Sequence, residues 1–373
     1  MNKVLNGIFQ FVVILGVGFC GGYVLANLAK DKIVSLQEPN FLLLVLAAVI
    51  SFVLHIIGVV IQIIVHEAGH LVFGLLTGYK FVSFRVFNVL IDKEENDKIR
   101  LRTVQGVDGT GGQCLMSPPR IKNGTFPFKL YLAGGVTFNI VFSGLVWLIA
   151  PSFYTLLFAL IGIILALTNA IPMGFNDGMS MKLCLQNEVN RYAIHLSLIV
   201  NYYATQGKSY VVSYPEVLEE IKKLDVNERN YITDFLSFME IEYYQDKFEL
   251  EKVYDLLLKL YYENPDLILP YKIEVMRSLI QLTSLFEPNS NLIDELLANK
   301  NVKARLKARE PQNKTILAVY EWRMKNNPQK ALAILEEGRK ILYRSPHLYA
   351  KIIDEKYINY IESLITSEIE QKI

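Results

Sequence analysis

Long apolar runs mark the first half of the chain, and shorter alternating or amphipathic segments make up the remainder. The apolar runs cover residues 5–28, residues 41–78 and residues 130–176. A helix needs about 20 consecutive apolar residues to cross a bilayer. The first run therefore predicts one span. The second predicts another, tilted or broken near Gly58, and the third is long enough for two spans with a turn around Pro151.

The first apolar run has a competing interpretation as a secretory signal peptide. It is long for the apolar region of a signal peptide, and no clear cleavage site of small residues follows it. Lys3 precedes the run, and Lys30 and Lys32 follow it. We therefore expect a membrane span, joined to the second one by a polar connection at residues 31–40.

Between the second and third apolar runs the pattern changes to that of β-strands. Residues 80–91 include an alternation of apolar and polar side chains, and residues 99–104 alternate again, with a polar turn at residues 92–98. This pattern predicts a β-hairpin. The Gly- and Pro-rich residues 106–119 predict a loop. An exposed strand edge could hold an extended peptide by strand addition, and a purely structural hairpin is an equally good interpretation.

From about residue 181 onward the apolar positions recur with helical periodicity, and Asn–Pro pairs and other turn signals separate the segments. Short helices in pairs suggest an α-solenoid. Residues 315–342 resemble one tetratricopeptide repeat, although no strict repeat period is present. His195 and His347 lie alone in this half, so we interpret them as structural or surface residues.

These patterns predict a mainly α fold with three parts. Residues 1–40 would form the first span and its connection. Residues 41–184 would form a polytopic helical membrane core, with the hairpin and loop inserted at residues 80–127. Residues 185–373 would form a cytoplasmic, α-helical, repeat-like domain. About four spans are expected in total.

Composition narrows the range of partners and of metal chemistry. The chain has 373 residues, of which 52% are hydrophobic, and a formal net charge of +1. This balance gives no reason to expect a nucleic-acid partner. The cysteines are Cys20, Cys114 and Cys184, an odd number without CxxC spacing, so neither a disulfide framework nor a thiolate zinc cluster is implied.

One charged side chain interrupts the second apolar run, and it lies between two histidines. His66, Glu67 and His70 belong to the sequence HEAGH, and Glu67 is the only formally charged residue between positions 39 and 79. Because four residues make about one helical turn, both imidazoles project from one face and can reach one zinc ion. HExxH matches many proteins by chance. A carboxylate in so apolar a stretch, however, is costly unless it is paired, hydrated or functional.

A catalytic zinc ion usually takes three protein ligands, so the two histidines need a partner. Asp177 is the best-placed acid in the hydrophobic half, since it is the only one after Asp108 and before Glu188. Its neighbours Asn176 and Gly178 suit a local break in a helix, which could aim the carboxylate inward. A simple helix cap is the competing interpretation of Asp177.

Basic residues set the expected topology. Arginines and lysines are frequent between the second and third spans, and the positive-inside tendency places that loop in the cytoplasm. Four spans then place both termini and the helical half in the cytoplasm as well. HEAGH, the sequence AGGVTFN at residues 133–139 and the sequence NAIPMGFNDG at residues 169–178 all fall at cytoplasmic ends of spans.

Taken together, these three stretches resemble the site-2 protease family of intramembrane zinc metalloproteases. The resemblance covers residues 41–184 and implies that His66, His70 and Asp177 bind zinc, with Glu67 as the general base. The middle motif of the family is commonly Gly-Pro-x-x-Asn. Here Gly135 and Asn139 are in register with it, whereas Val136 stands where the proline would be. Asn176 stands where the family often has an apolar residue.

The resemblance implies an intramembrane zinc endopeptidase of a bacterial cell membrane, which cuts a membrane-embedded protein or hydrophobic peptide near the cytoplasmic face. Asn139 or Asn169 could donate a hydrogen bond to the substrate backbone or the oxyanion, or could equally satisfy helix–helix contacts. The alternative is a non-catalytic membrane adaptor whose C-terminal helical half binds a partner protein. Another membrane HExxH protease with a glutamate as third ligand is disfavoured, because no acid lies between Lys122 and Asn176.

Overall fold

A computed structural model describes residues 41–93, 98–104, 110–226 and 229–371 of the chain. The first expected span and its polar connection, within residues 1–40, lie outside the described residues. The described chain is mostly helical with one small antiparallel sheet, which confirms the mainly α class.

The helices and strands are numbered in chain order. They are α1 Phe41–Leu76, β1 Lys80–Val86, β2 Val89–Lys93, β3 Ile99–Thr103, β4 Gly112–Ser117, α2 Phe128–Ile149, α3 Phe153–Ala170, α4 Asp177–Gln186, α5 Glu188–Thr205, α6 Tyr210–Ser213, α7 Glu216–Lys222, α8 Tyr231–Asp234, α9 Leu236–Asp246, α10 Leu250–Glu263, α11 Leu269–Phe286, α12 Leu292–Ala298, α13 Lys300–Leu306, α14 Pro311–Arg323, α15 Pro328–Lys340 and α16 Leu348–Gln371.

The described residues form two compact units. The first consists of residues 41–79 and 127–186 and contains α1 to α4. The second consists of residues 80–126 and 187–373 and contains the sheet together with the remaining helices. The sheet residues therefore belong to the same compact unit as the C-terminal helices.

In the first unit, α1 and α2 cross at very short range. A Cβ atom added to Gly69 would lie 2.2 Å from the carbonyl oxygen of Gly134, and one added to Gly134 would lie 2.5 Å from the carbonyl oxygen of Gly69. Two helix backbones can approach this closely only where the residue on each side of the contact is a glycine. This crossing brings the HEAGH turn of α1 directly against α2.

Two helices of this unit are long and apolar enough to cross a membrane, Phe52–Leu76 within α1 and Phe128–Ile149, which is α2. The apolar helix Tyr154–Ala170 is shorter. The expectation of about four spans is therefore met only in part by the described residues. α3 ends at Ala170, and residues 171–176 form bends and turns that lead to α4.

The sheet of the second unit has the strand order β3-β2-β1-β4, and each pair is antiparallel. The predicted hairpin corresponds to the pairing of β2 with β3. Its first strand, predicted over residues 80–91, is instead two paired strands, β1 and β2, and Asp92 and Lys93 of the predicted turn belong to β2.

The predicted loop over residues 106–119 was wrong for Gly112–Ser117, which forms β4 and pairs with β1. Cys114 and Met116 on β4 are buried. The alternation of buried and less buried positions in β4 is short, and a glycine pair and a proline pair flank it. These flanking residues are typical of loops, and the sequence therefore predicted a loop here.

A buried carboxylate links the sheet to the C-terminal helices within the second unit. Asp92 has no exposed surface and accepts from Arg100 at 3.1 Å and from Arg102 at 2.9 Å. Arg102 also donates to the backbone carbonyls of Ser345 and Pro346. One arginine therefore joins the buried acid of the sheet to the segment that precedes α16.

The remaining helices of the second unit share an apolar core. α14 and α15, which include the stretch with tetratricopeptide-like sequence, pack as a pair through Ala318 and Leu335, and Ile358 of α16 is buried in the same cluster. His195 is held by the carbonyl of Pro119 at 2.9 Å and lies edge-on to the ring of Phe126. These contacts agree with a structural role for His195.

Candidate metal centre

The two histidines of HEAGH lie one turn apart on α1 and face the same point. His66 and His70 are both buried, and their Nε2 atoms are 3.3 Å apart. Their position on α1 follows from the local sequence, because the apolar run around them favours a continuous helix. Leu76, the last residue of α1, lies six positions after His70, which corresponds to about 9 Å along the helix axis. The pair is thus close to one end of a long apolar helix.

Asp177 joins this pair from the first turn of α4. Its Oδ2 atom lies 3.0 Å from Nε2 of His66 and 3.2 Å from Nε2 of His70. One ligand atom from each of the three residues lies within 4.8 Å of the other two, so the group could hold a metal ion. The structure therefore brings together the three residues that the sequence singled out, across more than a hundred positions of the chain.

Asn176 and Gly178 explain why Asp177 points at the histidines. The amide nitrogen of Asn176 donates to the carbonyls of Thr168 at 2.7 Å and Ile171 at 2.8 Å, at the end of α3. Its side-chain oxygen accepts from the backbone N–H of Met179 at 2.9 Å, which caps α4. Asn176, and not Asp177, is therefore the residue whose side chain caps this helix.

Gly178 allows the start of α4 to pack against the end of α3. A Cβ atom at this position would lie 2.2 Å from the carbonyl oxygen of Ala170. The Asp-Gly pair thus has a steric reason in this fold, because a larger residue after Asp177 would push the carboxylate-bearing turn away from α3. A carboxylate in the first turn of a helix is also favoured by the helix dipole.

Hydrogen bonds to the outer ring nitrogens orient both imidazoles. Nδ1 of His66 lies 2.7 Å from Oδ1 of Asn139, and Nδ1 of His70 lies 2.7 Å from the carbonyl oxygen of Tyr131. A carbonyl oxygen only accepts, so the hydrogen bonds assign the proton to Nδ1 in each ring. Both Nε2 lone pairs then face the carboxylate of Asp177.

This donor set fits a divalent cation. Two imidazole lone pairs and a carboxylate oxygen converge on one point in a buried setting, where like partial charges repel strongly unless a cation lies between them. Each imidazole is also backed by an oxygen acceptor, which is the usual arrangement around metal-bound histidines. Several first-row divalent ions accept these donor types, so geometry alone names no metal.

The other residues singled out in the sequence have different surroundings. Glu67 follows His66 on α1 and is buried, with 8% of its surface exposed. Asn139 is fully buried and contacts His66 and Gln62. Asn169 donates its amide to the carbonyl of Leu165 one turn earlier in its own helix, at 2.9 Å. Neither asparagine side chain has a hydrogen-bond donor pointed at the three ligands.

Two features of the site were missed in the sequence. The carbonyl of Tyr131 could not be found, because a backbone group has no residue identity. Gln62 could have been noticed, since it is a polar residue in an apolar run and lies four positions before His66, on the same helix face. It carries no charge, however, and so did not stand out as Glu67 did.

Comparison of the chain with protein-family models, with curated proteins and with solved structures gave no match.

Proposed function

We propose that this protein is an intramembrane zinc endopeptidase. The observation that carries the proposal is the convergence of Asp177 with both histidines of HEAGH at one buried point of the apolar unit. Two imidazole nitrogens and one carboxylate oxygen are donor types that zinc takes in catalytic sites, where a fourth position stays open for water. Glu67 follows His66 directly and is not one of the three candidate ligands, which supports a catalytic site, because a structural zinc site has no use for an additional acid at this position.

A membrane location is supported by the apolar side chains that α1 and α2 expose. Phe52 is 66% exposed, Leu148 is 68% exposed and Ile149 is 80% exposed. Contiguous apolar surface on this scale is unusual in a soluble monomer. Both helices satisfy their own backbone hydrogen bonds, as a lipid environment requires. Lipid is the covering that we propose for these helix faces.

The residues of the site divide the chemistry of peptide hydrolysis among them. Zinc, when bound, supplies a Lewis acid that lowers the pKa of water to about 7 and polarises the scissile carbonyl. His66, His70 and Asp177 hold the cation at a fixed point. Glu67 accepts the proton of the attacking water and passes it to the leaving amine. Asn139 orients His66, and the role of binding the substrate backbone falls to other groups.

The substrate class follows from where the site lies along α1. A buried centre about 9 Å from the end of the helix suits a peptide bond near one face of the membrane. We propose a membrane-embedded protein or hydrophobic peptide, cut near the cytoplasmic face and unwound locally, since a helical backbone is closed to attack. The frequent basic residues between α1 and α2 favour a cytoplasmic location for that face.

A trap variant tests this proposal. Glu67→Gln keeps the size of the side chain and all three ligands but removes the base. We expect zinc content to remain and proteolysis to fall by about 100-fold or more. Membrane proteomics of cells that carry the wild type or the variant would then show precursors that accumulate and fragments that vanish. Equal fragment patterns in the two strains would refute the protease.

A second role, as a non-catalytic adaptor, is favoured by one feature of the second unit. Residues from α13 to α15 surround a groove of about 630 Å³. Its basic side chains are Lys307, Arg309, Lys314 and Lys340, and Glu337 is paired with Lys314. This basic groove suits an acidic segment of a partner protein. An adaptor would keep its function in Glu67→Gln and lose it when Lys307 and Arg309 are both changed to Glu.

A further inference from the structure

A series of side-chain hydrogen bonds, which we call the polar relay, crosses the apolar unit from α3 to the metal centre. It runs from the carbonyl of Phe158 through Gln62 to Asn139, which contacts His66, and Ser143 joins it at Gln62. Gln62, Asn139 and Ser143 have no exposed surface. Polar groups buried this deeply among apolar helices are costly unless their donors and acceptors are matched.

The relay begins at an atom that can only accept. Nε2 of Gln62 donates to the carbonyl oxygen of Phe158 at 3.2 Å and to Oγ of Ser143 at 2.9 Å. Because a backbone carbonyl cannot donate, the nitrogen of the Gln62 amide must face α3. Its oxygen, Oε1, must then face α2.

The same reasoning fixes the next amide. Nδ2 of Asn139 donates to the backbone oxygen of Gln62 and to Oε1 of Gln62, both at 2.8 Å. Both partners accept, so the nitrogen of Asn139 belongs on that side and Oδ1 faces His66. Oδ1 accepts from Nδ1 of His66 at 2.7 Å. The proton of His66 is thereby held on Nδ1, and Nε2 keeps its lone pair for the cation.

From this geometry we infer that Gln62 is a positioning residue of the metal centre, which acts through Asn139 to fix the tautomer and the ring orientation of His66. The inference rests on the proposed metal site and adds a residue to it. Gln62 touches none of the three ligands with its side chain, so its effect on the cation is indirect.

The space for the relay is built into α3. A Cβ atom at Gly162 would lie 1.9 Å from Oγ of Ser143 and 2.5 Å from Nε2 of Gln62. α3 therefore passes so close to the relay that only glycine leaves room for both side chains. A polar contact formed by chance would not need such a match from a third helix.

The two histidines depend on the relay to different extents. Nδ1 of His70 bonds directly to the backbone carbonyl of Tyr131, which cannot flip or be removed by substitution. Nδ1 of His66 instead bonds to a side-chain amide, whose nitrogen is held by both the backbone oxygen and Oε1 of Gln62. The relay thus gives His66 the fixed acceptor that His70 obtains from the backbone.

Zinc affinity of the full-length protein in detergent micelles tests this inference. Gln62→Met keeps the length of the side chain and removes its polar atoms, and Asn139→Leu removes the contact with His66. We expect Asn139→Leu to weaken zinc binding by about 10- to 100-fold in competition with a chelator. Gln62→Met should weaken it by a smaller factor, because Asn139 keeps its bond to the backbone oxygen of residue 62. The double variant should bind no more weakly than Asn139→Leu alone, because Gln62 acts through Asn139. Losses that multiply would overturn the inference.

The control is His55→Leu, which also replaces a polar side chain by an apolar one on α1 but at an exposed position. It should leave zinc affinity unchanged. Circular dichroism and the midpoint of thermal unfolding would show whether each variant keeps the native helical fold. Gly162→Ala gives a second route to the relay, and it should weaken zinc binding without altering any polar group.

Imidazole ¹⁵N spectra measure the tautomer of His66 directly. A Gln62 side chain that only stabilised the fold would not change these chemical shifts. Each variant is compared in a metal-free Asp177→Ala background, which removes the carboxylate that lies 3.0 Å from Nε2 of His66 and would draw a proton there. With Gln62 intact we expect the His66 signals of a single tautomer with the proton on Nδ1, assigned by their loss in His66→Gln. In Gln62→Met the two ring nitrogens should approach the averaged shifts of a tautomer mixture. An unchanged His66 spectrum together with unchanged zinc affinity would refute the positioning role.

The same preparations separate this inference from the proposed protease. If the wild type binds zinc but cuts no hydrophobic peptide, the protease fails, and the relay is judged by the zinc affinities alone. If the wild type cuts peptide and Gln62→Met binds zinc as tightly, the relay fails and the protease stands. If the wild type binds no zinc, the His66 tautomers still decide the relay.

Discussion

Gly135 of α2 faces the ring of His66 at a distance that excludes any side chain. A Cβ atom built on Gly135 would lie 2.4 Å from both Cε1 and Nε2 of His66. The glycine therefore gives the imidazole the space in which Nε2, the nitrogen that faces Asp177, lies. This is a steric reason for a glycine four positions before Asn139, independent of any resemblance.

Gly135→Ala should displace the His66 ring and weaken zinc binding by about tenfold or more, while the helices persist. The matched control is Gly144→Ala on the same helix, because a Cβ atom there meets nothing within 4 Å. Chelator competition on both variants would check this. Equal zinc affinity in the two would mean that the ring has room to move aside.

Removal of any one ligand should abolish metal binding. We expect the purified wild type to carry about one zinc ion per chain and His66→Ala, His70→Ala or Asp177→Ala to carry little. His55→Ala removes an exposed histidine from the same helix and should retain the metal. Elemental analysis after dialysis measures the content. Zinc retained by Asp177→Ala would contradict a three-ligand centre.

Asn176→Ala should loosen the turn that presents Asp177. The change removes the cap of α4 and the two bonds to the end of α3, so we expect a stability loss of about 1 kcal/mol or more and a zinc affinity lowered by about tenfold. Asn187→Ala removes a comparable cap, since Asn187 accepts from the backbone N–H of Asn190. Asn187→Ala should lower the stability but leave the zinc affinity unchanged. The ratio of the zinc affinities of Asn187→Ala and Asn176→Ala therefore measures how much the turn at Asn176 contributes to zinc binding.

The second unit should lose stability as the pH rises from about 4 to about 7. Burial raises the pKa of the Glu242 carboxyl from 4.5 to about 7, although a hydrogen bond from Ser209 opposes the shift. Burial likewise raises the pKa of Asp354 to about 7. A folded-state pKa above the unfolded one means that the folded form binds the proton more tightly. Its stabilising effect is therefore complete below about pH 4 and is lost between there and about pH 7.

Glu242→Gln should flatten this pH dependence by about 2 kcal/mol between pH 5.5 and pH 8, since the folded-state pKa lies about 1.5 units above pH 5.5 and one pKa unit corresponds to about 1.4 kcal/mol. Amide exchange in α9, corrected for the intrinsic rate and compared at pH 5.5 and pH 8, would measure it. The exposed Glu251, changed to Gln, serves as the control. A wild type that becomes more stable toward pH 8 would contradict the prediction.

The ligand set was predictable from the sequence because charge is rare in apolar runs. Glu67 and Asp177 stood out against long stretches without charged residues, and helical spacing alone placed His66 and His70 on one face. Helical spacing is a local property of the sequence, and the scarcity of charged residues is found by counting them. Neither requires knowledge of how the helices pack. The structure confirms that the three side chains could hold a metal ion.

The supporting residues were not predictable because they depend on how helices pack. The roles of Gln62 and Gly162 depend on the approach of α3, and the acceptor for His70 is a backbone carbonyl. β4 was missed for a related reason, since its partner β1 lies about thirty residues earlier. Non-local pairing leaves little trace in a short alternation flanked by glycine and proline.

The hydrogen bonds from Arg102 to the carbonyls of Ser345 and Pro346 bear on how the gene can be divided. The order of elements along the sequence suggests a truncation after Gln186. That truncation would remove α5 and the carbonyl acceptors of Ser345 and Pro346, which the strands contact in the folded protein. Fragments intended for expression should carry residues 80–126 and 187–373 together. Expression of the second unit by itself would require removal of residues 1–79 and of residues 127–186, with a new linker between residues 126 and 187.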